Sequence, residues 1–116
     1  LILVHSCADP FAPKTVRSTM GACFRLPVWE VKAEELPALL ERSGLPLYAP
    51  ALREDTVDVR EISLSKCAML IGSEGRGVRQ EILEAAQAEL IIPMNSRCES
   101  LNAAIAAAIV MWQMKQ

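Results

Sequence analysis

Short apolar runs alternate along this chain with stretches of helical period, which predicts an α/β fold with a mostly parallel sheet and helices on both faces. Two further observations point the same way. The apolar runs show no polar alternation, as strands covered on both faces do not. The stretches between them are long enough for the crossover helices that parallel strands require.

The elements follow in order. Leu1 to Val4 reads as a buried strand. Pro13 can open a helix at its first position, where a missing N–H costs nothing. Val16, Met20, Cys23 and Phe24 then share one face, and Pro27 marks the end. Val28 to Val31 is a short strand. Ala33 to Ser43 is a second helix, with Leu36, Leu39 and Leu40 on one face, Pro37 tolerated in the first turn and Gly44 as the cap. Leu45 to Ala49 is a third strand. Val57, Val59 and Ile62 alternate weakly, so residues 55–62 form an edge strand or a loop. Cys67 to Ile71 is the clearest buried strand, and it runs straight into a glycine-rich loop. Val78 to Gln87 is a helix with Val78, Ile82, Leu83 and Ala86 inward. Glu89 to Ile92 is the last strand, stopped by Pro93. Ser100 caps a final helix that reaches Met114, with Leu101, Ile105, Ile109 and Trp112 in line.

Composition sets the bounds. At about 150 residues per domain, 116 residues make a single domain. Hydrophobic residues at 52% against 22% charged residues can bury a core, which excludes disorder. A net charge of −2 excludes a strongly basic nucleic-acid clamp but leaves a local basic patch open. The longest apolar run, residues 103–112, falls short of the roughly 20 residues that span a bilayer. The chain shows no signal-peptide pattern and opens, without Met, on an apolar run that resembles the middle of a folded unit. Missing residues upstream of Leu1 are therefore expected. Cys7, Cys23, Cys67 and Cys98 are scattered and His5 is the single histidine, so neither a zinc site nor a disulfide framework is expected. Free thiols in an apolar chain fit a reducing cytoplasm.

Ligands of parallel sheets bind beyond the carboxyl ends of the strands, so the loops after Ala49, Ile71 and Ile92 are the informative ones. Gly72-Ser-Glu-Gly-Arg-Gly77 carries three glycines between a strand and a helix, which lets backbone approach a ligand closely. It is neither a P-loop nor the GxGxxG fingerprint. From residue types alone it reads equally as a tight turn, although such a turn has no need of Glu74. Ile92-Pro-Met94 leads into a polar loop, then Ser100-Leu-Asn102. Asn102 would lie in the first turn of an otherwise Ala-rich helix, where an amide is a poor helix former. The Ala-rich body, residues 103–108, reads as core or as a dimer interface. Lys14, Arg17, Arg53, Arg76, Arg79 and Arg97 are candidate phosphate contacts, each with a solvated surface charge as its simpler reading.

These residues resemble a known family. Leu70-Ile-Gly-Ser-Glu-Gly-Arg-Gly77 resembles the second motif of the SpoU-type (TrmH-like) RNA ribose methyltransferases. Ile92-Pro-Met94 with Glu99-Ser-Leu-Asn-Ala-Ala104 resembles their third. Ala8-Asp-Pro-Phe11, Lys14, Arg17, Met20-Gly-Ala22 and Leu26-Pro-Val28 resemble the segment before the second motif, with Thr19 where the family has Ser. The resemblance covers nearly the whole chain. It implies a SPOUT-type fold with a C-terminal trefoil knot, S-adenosylmethionine as methyl donor, and the ribose 2′-hydroxyl of rRNA or tRNA as acceptor, with no metal. Carried over, it implies a donor site of Gly72, Ile92, Met94 and Leu101, with Ala49 a weaker addition. It gives Ser100 and Asn102 the task of orienting ribose and donor, and Glu74 that of positioning a partner arginine. It also implies a homodimer. The family's first motif, an Asn and an Arg, belongs to a segment upstream of Leu1. The expectation is therefore the C-terminal part of a methyltransferase domain, with little or no turnover from this chain alone. The alternatives are a non-catalytic cofactor- or RNA-binding fragment or subunit, and an unrelated nucleotide-binding domain.

Overall fold

The computed structural model describes residues 1–4, 6–50, 55–72, 77–98 and 100–116. The chain forms two compact units, Leu1–Ala38 and Leu39–Gln116.

In the first unit β1 (Ile2–Val4) pairs in parallel with β2 (Trp29–Val31), with Leu3 opposite Glu30. Between them lies α1 (Pro13–Ser18), opened by its proline. The expected single helix to Pro27 does not form. Met20 (φ +50°) and Gly21 (φ +78°) take left-handed conformations, and a 3₁₀ turn, Ala22–Phe24, follows. A left-handed pair reverses the chain and ends any helical face. Cys23 is therefore buried while Met20 and Phe24 stand exposed.

A 3₁₀ turn, Ala33–Glu35, runs into α2 (Leu36–Ser43), and the carboxylate of Glu35 accepts a 3.0 Å hydrogen bond from the Lys32 backbone N–H. Leu36 and Leu40 are buried. Gly44 follows at φ +64° with open space where a side chain would be. Gly44→Ala therefore costs only the left-handed penalty, about 1 kcal/mol. Chemical denaturation should show the lower midpoint with an unchanged slope.

The second unit holds a four-stranded, all-parallel sheet in the order β4-β6-β3-β5. β3 (Leu47–Pro50) is central, and Leu47, Tyr48 and Ala49 are all buried, as a strand covered on both faces requires. Pro50 sits at its end, where a missing N–H is cheapest. β4 (Val57–Asp58) is an edge strand, and β6 (Ala88–Ile91) lies between it and β3.

β5 departs from expectation. It is two residues long, Ala68–Met69, lies at the other edge of the sheet and is only half-buried. Its apolar neighbours Leu64 and Cys67 supply the burial instead. α3 (Gln80–Glu84) is shorter than the predicted helix because Gly77 (φ +63°) and the extended Arg79 hold the chain out of helical geometry until Gln80. The inward set is as expected, with Ile82 buried and Val78, Leu83 and Ala86 half-buried.

α4 (Ala103–Gln113) carries a further correction. The line Ile105, Ile109 and Trp112 faces outward, with Trp112 71% exposed. The opposite side, Ala103, Ala106, Ala107, Val110 and Met114, is the covered one. Small alanines let the helix backbone approach closely, so Val110 enters the core with Tyr48, Val59, Leu64, Cys67 and Leu90. No helix among the described residues is long and apolar enough to cross a membrane.

Candidate functional site

Parallel register decides which loops meet. Tyr48 pairs with Met69 on one side and with Ala88 on the other, and Pro50 pairs with Leu90. The Leu70 backbone N–H donates to the Tyr48 carbonyl at 2.8 Å. The carboxyl ends of β5, β3 and β6 therefore emerge side by side, about 4.8 Å from one strand to the next. The segments that leave them begin at Leu70, after Pro50 and at Ile92. β4 ends at the same edge, with Asp58 opposite Ile91. Three of the predicted positions, Ala49, Gly72 and Ile92, are thus gathered at one end of the sheet by the ladder alone.

Gly72 is half-buried, and its environment differs from the one implied by the resemblance. A Cβ there would lie 2.9 Å from the Gly77 carbonyl carbon, 3.1 Å from its oxygen and 2.8 Å from Val78 Cγ2. The loop closes on itself at this point, so glycine is required by the protein's own backbone. Ala49 has 0% exposure and lies inside the sheet rather than on an open wall. Ile92 is half-buried and packs against the core, while Met94 and Leu101 are half-buried as well. Such side chains keep apolar surface that a ligand can cover. Glu74, Arg53, Arg76 and His5 lie outside the described residues.

The head of α4 corrects the assignment of the cap. Asn102, not Ser100, is the N-cap: its Oδ1 accepts from the backbone N–H groups of Ala104 (3.0 Å) and Ile105 (3.3 Å). The extended backbone of Asn102 (φ −55°, ψ 136°) keeps it out of the helix, which explains how an amide sits there at no propensity cost. Ser100 is exposed just ahead of it. Upstream, Asn95 forms a turn of its own, with Oδ1 accepting from Arg97 N–H at 3.0 Å and the carbonyl from Cys98 N–H at 2.8 Å. Arg79 and Arg97 are exposed.

The sequence reading singles out neither Asp58 nor Arg60. Arg60 lies in the turn that follows β4, where Asp58 Oδ1 accepts the Arg60 backbone N–H at 2.9 Å and the Asp58 carbonyl accepts the Glu61 N–H at 2.9 Å. Arg60 Nε donates to Oδ1 (3.0 Å) and Oδ2 (3.1 Å) of Asp58, and the guanidinium fork closes on the carboxylate. This pairing, with the Arg60 backbone N–H, holds the Asp58 carboxyl below its usual range and raises Arg60. A depressed carboxyl adds stability above its unfolded pKa of about 3.9, and that stability is lost as pH falls through the lower folded value. Arg60→Ala should remove the side-chain part of this contribution and keep the backbone bond, so the variant's thermal midpoint should change less than the parent's below about pH 4.

All four cysteines are free thiols. Burial pushes the Cys67 thiol up, and its Sγ points at the Leu64 carbonyl at 3.3 Å, so it is an inert packing group. Among the described residues no cluster of His, Cys, Asp or Glu could hold a metal ion.

Comparison with known proteins places this geometry. The 23S rRNA (guanosine(2553)-2′-O)-methyltransferase of Bacillus subtilis (strain 168) is 34% identical over 116 residues, which is 99% of this chain and 46% of that protein. The tRNA (guanosine(18)-2′-O)-methyltransferase of Thermus thermophilus is 41% identical over 75 residues, 64% of this chain and 39% of that one. The crystal structure of an AdoMet-bound rRNA methyltransferase from Sinorhizobium meliloti superposes with a TM-score of 0.87 at 35% identity, covering 98% of this chain and 44% of that one. The chain spans about half the length of the relatives it matches. Residues 1–112 match the SpoU rRNA Methylase family, through the glycine-rich loop and the head of α4 alike, and the chain belongs to that family.

Proposed function

We propose that this chain is the cofactor-bearing part of an S-adenosylmethionine-dependent RNA 2′-O-methyltransferase acting on rRNA or tRNA. The observation that carries this is the unbroken family match over residues 1–112, which takes in both motif-bearing segments. The two compact units then belong to one methyltransferase domain, with helices on both faces of its sheet. β6, the last strand, lies between β3 and β4, which residues 51–56 connect. This insertion of the last strand between two earlier ones supports the reading of a C-terminal trefoil knot.

The residues present fit the methyl donor. Ile92, Met94 and Leu101 offer half-buried apolar surface between the carboxyl end of β6 and the start of α4. Gly72 and, as a weaker addition, Ala49 complete the donor site. S-adenosylmethionine, when bound, supplies an activated methyl group on a sulfonium. Ser100 and Asn102 orient the ribose and the methionine end of the donor, and Glu74 positions an arginine. Asn102 Oδ1 also serves as the helix cap. Alignment of this kind can supply about 7–11 kcal/mol of a barrier. A second copy of the chain covers the outward face of α4, through Ile105, Ile109 and Trp112, in a homodimer. Free thiols fit a cytoplasmic setting.

Calorimetric titration of the intact protein with S-adenosylmethionine, with ATP as control, tests the donor site. Methyl transfer to rRNA and tRNA, read as new resistance to alkaline cleavage at one ribose, tests the reaction. Micromolar donor binding together with transfer is the expected result. Absence of both would sink the proposal. Binding without transfer would favour a non-catalytic cofactor- or RNA-binding module, a reading that the chain's half-length match keeps open.

A further inference from the structure

We propose that the α1 segment of the first unit is a stacking surface for unpaired RNA bases, a reading that rests on the proposed RNA substrate. The left-handed turn at Met20 and Gly21 brings Phe24 back onto Phe11, with ring centroids 6.0 Å apart and planes 20° from parallel. The pair is not core: Phe11 is 52% exposed and Phe24 68%. Local bonds hold the pair's base, with Phe11 N–H donating to Asp9 Oδ1 at 2.9 Å and Thr15 Oγ1 to the Asp9 carbonyl at 3.1 Å.

Charge complementarity identifies the occupant. Lys14, Arg17 and Arg25 lie within six residues of one or other ring in the sequence, and all three are exposed. Lys14 and Arg17, three apart on α1, share one side of it. Asp9 is the single carboxylate in residues 1–28, and it is engaged in the turn, within a chain whose net charge is −2. Unpaired RNA offers both complements at once, base faces for the rings and phosphates for the cations.

The test uses the intact protein and a short unstructured RNA labelled for fluorescence anisotropy. Phe11→Leu and Phe24→Leu keep apolar volume at exposed positions and remove the aromatic face. Each is expected to weaken RNA binding roughly 5-fold or more. Phe24→Tyr should retain it. Arg17→Gln should lower the slope of log affinity against log salt by about 0.7, the value of one phosphate contact on a single strand. Calorimetric affinity for S-adenosylmethionine and the melting temperature should stay unchanged in all four variants. Wild-type RNA binding that survives both leucine variants with the same salt slope overturns this inference and leaves the methyltransferase reading standing. A change of oligomeric state by sedimentation, with RNA affinity intact, also overturns it, in favour of a protein partner. Failure of the wild-type protein to bind any RNA overturns both.

Discussion

Gly72→Ala is expected to lower the melting temperature by about 4–15 °C and to abolish donor binding. The added methyl would sit 2.9 Å from a backbone carbon of Gly77 and 3.1 Å from its oxygen. Backbone at such a distance cannot rotate away as the end of a side chain can. Val78 Cγ2, at 2.8 Å, could move, but moving it leaves the Gly77 contact in place. Overpacking of this kind costs about 1–3 kcal/mol, which for a chain of this size is the shift just given. The loop must then open where it leaves β5, at the sheet end where the strand termini converge. The measurement is a thermal melt with and without S-adenosylmethionine. A drop already present without the donor supports the self-closure account. An unchanged melt with lost donor binding would mean that the glycine makes room for the cofactor and not for Gly77.

Asn102→Asp separates two roles that the parent residue combines. Aspartate caps helices as well as asparagine does, so both bonds to the Ala104 and Ile105 N–H groups should survive. The capping contribution to stability, about 1 kcal/mol, should therefore be retained. The Nδ2 donor is replaced by a charged oxygen, and methyl transfer should fall about 100-fold if that end orients the reactants. Asn102→Ala should add a stability loss of about 1 kcal/mol, because the cap goes too. Single-turnover rates and denaturation curves on both variants decide the matter. Equal losses of rate and stability in the two would reduce Asn102 to a cap.

The strands of the second unit were legible because a parallel sheet covers its central strand on both faces, so the apolar run stands out; the expected buried strand at Leu1 to Val4 forms as a strand but not a buried one, since a two-stranded sheet leaves Leu1 and Ile2 exposed. Leu1 to Val4, Leu45 to Ala49 and Glu89 to Ile92 each became strands within a residue or two at their ends. Helix faces were less legible. In α4 both sides are apolar, and nothing in the pattern tells an alanine side from an isoleucine side as the one that is covered. Packing decided for the alanines, because the core needed close approach more than bulk. The break of the first helix at Met20 was hidden for a similar reason. One glycine in a helical pattern costs only about 1 kcal/mol, which a chain reversal can outweigh.

The candidate site divides in the same way. Its residue types and motif spacing, and through them the family, followed from the sequence alone, since backbone approach demands glycine and a helix head demands a capping side chain. Which residue takes which task was a tertiary decision. Ser100 and Asn102 are both competent caps, and only the backbone angles at residue 102 chose between them. The space that a side chain at residue 72 would need is taken by Gly77 and Val78, a contact that only the fold makes. Strand register, a non-local pairing that no local pattern encodes, brought the ends of β5, β3 and β6 to one edge. Local sequence thus determined what each segment could be, and long-range packing, where contacts compete for the same space, determined what each one does.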